Sequence, residues 1–217
     1  MAALNDHATR SWERPGLGSS EHYFQRLSRL ALQLPYQSID AIAGVLSQAF
    51  DEGRTVFVFG NGGSAASASH MMCDMNKGAA PCGRARRPKV MALTDNVPLM
   101  TAWANDSGYE QIFAEQLRNY LEPRDVAFAI SCSGDSANVL LGLRTAREMG
   151  AITVGVAGYQ GGEVKHLCDV CAVVPSNEMR IIEDMHHAIL HSLSETVTGH
   201  VQAREAQVLA AARKNGR

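Results

Sequence analysis

Two groupings of histidine and carboxylate stand out in this sequence of 217 residues. His70 and Asp74 are four residues apart, the spacing that brings two side chains to one face of a helix. Far along the chain, Glu183, His187 and His191 repeat that spacing, so the three follow one stripe of a second helical segment. Neutral imidazoles and carboxylates suit Zn²⁺ and related ions, and they are also the groups that move protons near neutral pH. Pairs from two helices make a four-ligand site. A histidine-rich face taken alone is equally a solvated surface or a subunit contact. Two turns point to a different chemistry. Gly60-Asn61-Gly62-Gly63-Ser64 and Ser131-Cys132-Ser133-Gly134-Asp135-Ser136 each follow an apolar run and precede a helix-forming segment. Glycines that permit a tight turn, free N–H groups at a helix start and serine hydroxyls together suit a phosphate. No GxxxxGK[ST] or GxGxxG pattern accompanies them, which argues against nucleoside triphosphatase and dinucleotide chemistry.

These side chains need a scaffold, and the apolar pattern supplies one. Short apolar runs at 56–59, 89–93, 126–130, 152–156 and 170–174 predict five buried strands. Helical spacing is seen over 21–52, interrupted by Pro35, over 97–121 with a break near 105–108, over 137–149 and over 177–214. Ser64 is expected to cap the helix that carries His70. Alternating strands and helices predict an α/β fold with a parallel sheet covered on both faces. Thr94 and Asp95 directly follow the second strand, where open α/β sheets place ligands. The helical arm ahead of the first strand exceeds what one compact domain needs and is expected to pack on another subunit.

Composition narrows the class. A hydrophobic content of 46% in 217 residues fits one domain with a full core, expected over 21–217 behind a flexible polar leader at 1–20. The net charge of −2 gives no general attraction to nucleic acid or anionic membrane, and no 18-residue apolar segment exists. A short basic run at 84–89 reads as a solvated loop. Five cysteines without an apolar leader predict reduced thiols in a cytoplasm. Cys168 and Cys171 form a single CxxC with no second pair to complete a zinc site.

With these residues in view, the chain resembles the sugar isomerase (SIS) domain family and, within it, the phosphoheptose (sedoheptulose 7-phosphate) isomerases. The likeness covers about residues 20–200. It rests on FGNGGS followed by His70, on ISCSGDSANV at 130–139 and on RIIEDMHHAILH at 180–191. The resemblance implies a three-layer αβα sandwich with a five-stranded parallel sheet, flavodoxin-like or Rossmann-like, in a homotetramer with active sites at subunit interfaces. It also implies conversion of a ketose phosphate to an aldose phosphate through an enediol with zinc bound. Carried over by position, Asn61, Gly62, Gly63, Ser64, Ser131, Ser133 and Ser136 hold the phosphate, while Thr94 and Asp95 contact the sugar. His70, Asp74, Glu183 and His191 are the implied metal set, with Asp74, His191 and Glu183 in catalytic roles.

Two positions depart from the family pattern: Asp74 stands where a glutamate is usual, and Glu183 where a glutamine is usual. The first change shortens the side chain by one methylene, about 1.5 Å, which matters to a base that must lie within about 3 Å of its proton. The second adds charge beside a metal, which favours ion binding and reduces Lewis acidity. A compensated exchange is expected, with Glu183 supplying a second carboxylate able to move protons. The rival reading is a non-catalytic SIS protein that binds the replication initiator DnaA or senses a phosphosugar. Retention of four metal-capable side chains favours the enzyme.

Overall fold

The structure is a computed structural model that describes residues 19–78 and 86–215. Most of the expected leader and the first two residues of the basic run at 84–89 lie outside the described residues. The first helices are α1 (Ser20–Ala31) and α2 (Tyr36–Glu52), separated at Pro35, which occupies the N-cap of α2. Then follow β1 (Thr55–Gly60), α3 (Gly63–Cys73), a π-helical turn (Asp74–Gly78) and β2 (Lys89–Ala92). Next are α4 (Val97–Asp106), a 3₁₀ turn (Tyr109–Gln111), α5 (Ala114–Tyr120), β3 (Val126–Ser131) and α6 (Ala137–Glu148). The chain ends with β4 (Ile152–Ala157), α7 (Val164–Leu167), β5 (Val170–Val173) and the long α8 (Met179–Asn215). The five expected strands all form, each within one residue of its predicted bounds.

The sheet is parallel throughout, in the order β2-β1-β3-β4-β5. Alternation along its strands divides the core into two layers. Val56, Val58, Val126, Phe128 and Ile130 face one layer, with Ile42, Leu46 and Phe50 of α2, Ala68 and Met71 of α3, and Ile182, Ile189 and Leu193 of α8. Phe57, Phe59, Ala127 and Ala129 face the other, with Phe113, Leu117, Val139 and Leu143. This is the three-layer αβα sandwich. The chain reverses its winding between β1 and β3, and an open α/β sheet places its crevice outside the carboxyl ends of the strands at such a point. The register pairs Gly60 with Ile130, so the two serine and glycine turns leave the sheet side by side. A Cβ at Gly60 would lie 2.5 Å from the Ile130 carbonyl oxygen, so only glycine fits this approach.

One expectation is corrected here. Gly62, not Ser64, is the N-cap of α3, at φ 56°, and no side chain caps that end. Glycine reaches this backbone region without the Cβ clash that a serine would incur. Ser64 falls inside the first turn and is buried.

The long α8 is fastened at both ends. Near its start, Tyr23 of α1 donates to Asp184 at 2.6 Å and Arg26 pairs with Glu178. Further along, Asp51 of α2 accepts from Arg204 at 2.7 and 2.9 Å and lies 3.1 Å from His200. The Arg204 hydrogen bonds, with further help from His200, hold the Asp51 carboxyl below its ordinary range. A depressed carboxyl pKa contributes stability above the unfolded value of about 3.9, and that contribution is lost as pH falls through the folded value. Asp51→Asn should therefore melt below the parent protein at pH 7, and the difference should shrink as acid titrates the Asp51 carboxylate, as followed by circular dichroism.

Candidate active site

Two helix N-termini open on the crevice at the β1/β3 switch. Gly62 and Gly63 begin α3, and Ser136 is the N-cap of α6. Both ends carry orphan N–H groups and a positive dipole end, which suits an anion. Ser136 makes no capping hydrogen bond with its side chain, so its hydroxyl is not committed to the helix. The other two serines of the loop fold it: Ser131 Oγ accepts from Gly134 N–H and Ser133 Oγ from Asp135 N–H, each at 3.2 Å. A cavity of about 270 Å³ gathers Asn61, Gly62, Gly63, Ser64, Ser131, Ser133 and Ser136 around one space, with Glu183 on its wall. All seven residues carried over as phosphate ligands therefore meet at one place.

Asn61 has a further task that the sequence does not disclose. Its amide exchanges two hydrogen bonds with the buried Asn138, both 2.8 Å, and Tyr109 donates to Asn61 Oδ1 at 3.0 Å. The side chain is thus committed to fixing the turn after β1. Thr94 and Asp95 do not line this cavity. They lie beside α3, where Ser69 donates to Asp95 and Thr94 Oγ1 donates to the Ala65 carbonyl at 3.4 Å.

The histidine cluster forms between α3 and α8. His70 and His191 meet at 3.1 Å between Nε2 atoms, and Asp74 Oδ2 lies 3.3 Å from His70 Nε2 and 3.6 Å from His191 Nε2. His187, on the same stripe of the second helical segment as His191, joins them. Its ring centroid is 4.6 Å from that of His70 and 4.5 Å from that of His191. One ring nitrogen from each of the three lies within 4.8 Å of the others. Partial burial, with the neighbouring His191 and His70, holds the His187 imidazole below its ordinary pKa. Asp74 is positioned by the π turn, an element that no local sequence pattern signals. Asn76 in this turn both donates to Val90 O at 2.7 Å and accepts from Val90 N at 3.0 Å, so the turn is sewn to the edge strand β2.

These donors suit a zinc-like ion. Ligand atoms around a tetrahedral zinc, with bonds of about 2.0–2.1 Å, lie about 3.4 Å apart. The separations of 3.1, 3.3 and 3.6 Å among His70, His191 and Asp74 are close to that edge.

Glu183 sits elsewhere. A Cβ on Gly63 would lie 3.2 Å from Glu183 Oε1, which puts the carboxylate against the start of α3 rather than in the imidazole cluster. Eight residues of helix separate it from His191, a rise of about 12 Å. Glu183 also lines a second cavity of about 170 Å³, together with Gly63, Ser64, Ser67, His186 and His187. It therefore stands between the serine turns and the histidines. Burial and the Glu183 charge push the Cys132 thiol up to about 11, so Cys132 is no thiolate nucleophile. The CxxC cysteines are likewise raised by burial, Cys171 to about 11, which fits an inert packing role around Gly155.

Comparison with known proteins identifies the family. The SIS domain family matches residues 22–158. A phosphoheptose isomerase of Rhodospirillum rubrum is 41% identical over 156 residues, covering 72% of this chain and 82% of that protein. One from Aquifex aeolicus is 38% identical over 167 residues, covering 76% and 86%. The structure of a phosphoheptose isomerase from Francisella tularensis aligns with a TM-score of 0.76 at 27% identity, over 82% of this chain and 96% of that one. The chain belongs to the SIS domain family and, within it, to the phosphoheptose isomerase branch.

Proposed function

We propose that this protein converts a long-chain ketose phosphate, sedoheptulose 7-phosphate or a close seven- or eight-carbon analogue, to its aldose phosphate. Membership of the branch makes it a sugar-phosphate isomerase. The observation that carries the finer reading is that Glu183 lines both cavities, joining the serine turns to His187 in one crevice.

Aldose–ketose isomerisation moves a proton between C1 and C2 while carbonyl and hydroxyl character exchange between their oxygens. The C–H bond is weakly acidic, so a base must sit within about 3 Å and the enediolate charge must be stabilised. The hydroxyls of Ser64, Ser131, Ser133 and Ser136, with the N–H groups of the two helix starts, bind the phosphate; Ser131 and Ser133 accept from loop N–H groups and keep their own O–H to donate. Asn61 also holds the shape of its turn. Binding energy at this remote group keeps the sugar in register for proton transfer. Thr94 and Asp95 contact the sugar. Asp74 and Glu183 are the carboxylates able to take the C–H proton, and His191 exchanges a proton with the substrate oxygen. A bound Zn²⁺ would supply Lewis-acid stabilisation of the developing negative charge, held by His70, Asp74 and His191; the resemblance adds Glu183, which lies outside the imidazole cluster.

The protein is expected to work in the cytoplasm as a homotetramer with active sites at subunit interfaces. Support for assembly comes from apolar side chains left in solvent: Leu32 is 81% exposed, Phe24 65% and Met179 55%. Light scattering on the eluting protein should give four times the chain mass of 23.4 kDa, and a monomeric mass would remove the shared-site reading.

Incubation with a panel of seven- and eight-carbon ketose phosphates, followed by NMR, should reveal an aldose phosphate; no conversion of any member would sink the substrate assignment. Asp74→Asn and Glu183→Gln are each expected to lower turnover by about 10²-fold, the usual size of a general-base contribution. Removing the Asn138 amide should loosen the Asn61 turn. Asn138→Ala is therefore expected to weaken inorganic phosphate binding about tenfold by calorimetry, matching the loss of about one buried hydrogen bond.

A further inference from the structure

The histidine cluster with Asp74 has one more imidazole than the implied set of His70, Asp74, Glu183 and His191, and one fewer carboxylate. His70 and Asp74 form a pair four residues apart on α3 and its π turn, and His187 and His191 form a second such pair on α8. Facing helices that each present two donors one turn apart are a common way to build a metal site in a helical layer. His187 stands nearly equidistant from the other two rings, at 4.6 and 4.5 Å, while those two are 5.0 Å apart. All three rings offer a nitrogen to one small volume that neither Asp74 nor Glu183 completes, although Asp74 Oδ2 lies 3.3 Å from the His70 nitrogen and 3.6 Å from that of His191. The Glu183 carboxylate is turned instead to Gly63 and to the wall of the serine cavity.

We propose that His187 replaces Glu183 in the ligand set, so that the ion is held by His70, His187 and His191 with Asp74, and Glu183 stays uncoordinated beside the serine turns. This deepens the isomerase reading and rests on it. Two consequences follow from the chemistry of the donors. A set of three imidazoles and one carboxylate is nitrogen-rich, so it should favour Zn²⁺, Co²⁺ or Ni²⁺ over Mg²⁺ and Mn²⁺, which prefer oxygen. An uncoordinated Glu183 keeps its lone pairs for a proton, and it faces the space between the phosphate cradle and the histidines.

The test compares metal binding by the full-length parent protein, His187→Ala and Glu183→Gln, with helicity checked by circular dichroism. Zn²⁺ affinity is measured by chelator competition, and the absorption of bound Co²⁺ reports the ligand field independently of activity. His187→Ala should lose at least about 100-fold in Zn²⁺ affinity, more than is usual for residues that only support a ligand, and should change the Co²⁺ spectrum. His187→Gln should restore the fold if alanine does not, without restoring the spectrum. Glu183→Gln should bind Zn²⁺ within a few-fold of the parent with an unaltered spectrum, yet turn over slowly. Unchanged affinity and spectrum in both His187 variants would overturn the proposal, as would loss of the ion in Glu183→Gln. If the parent protein bound neither Zn²⁺ nor Co²⁺, the ligand assignment would fall, whereas the isomerase reading would still stand or fall on aldose formation in the ketose phosphate panel.

Discussion

The constraint on which the site depends is the parallel pairing of β1 with β3. Because Gly60 is in register with Ile130, the turns that follow both strands leave the sheet at the same level. Neither turn alone offers more than a few N–H groups and a hydroxyl. Side by side they bring two helix N-termini to one cavity. The close approach leaves no room for a Cβ at Gly60, and the Asn61–Asn138 amide pair then locks one turn to the start of the other's helix. Position in the sheet, more than any individual residue, brings these groups together.

The second half of the site comes from α8, a helix of 37 residues that crosses the layer above α3. Its apolar stripe, Ile182, Ile189 and Leu193 among others, buries against the sheet and sets its rotation. Its fastening to α1 through Tyr23 and Arg26, and to α2 through Asp51, limits sliding along the axis. Rotation and height together decide which polar residues meet α3. One turn of helix separates a residue that reaches His70 from one that reaches Gly63, since four residues rise about 6 Å. That step distinguishes His187 from Glu183.

The π turn after α3 serves the same end from the opposite side. A widened turn at Asp74–Gly78 carries Asp74 at its first position, and the Asn76 amide clamps the turn to the backbone of β2 as another strand residue would. π turns are rare and often found at functional sites, because they redirect a side chain without ending the helix. Here the redirected side chain is the shorter carboxylate, brought within 3.6 Å of both His70 and His191.

Much of this was legible from residue order alone. The five strands, the break at Pro35 and the parallel sheet all follow from local periodicity and turn chemistry, which act between neighbours in the chain. So did the face shared by His70 and Asp74, because helical spacing is itself a local property. The capping of α3 by Gly62 rather than Ser64, the π turn and the Asn61–Asn138 pair were not legible; each depends on backbone torsions or contacts across many residues. Resemblance names Glu183 as a ligand and does not include His187. Only the tertiary structure separates the two, because which turn of α8 faces His70 is decided by how that helix packs on the sheet and not by any spacing within it.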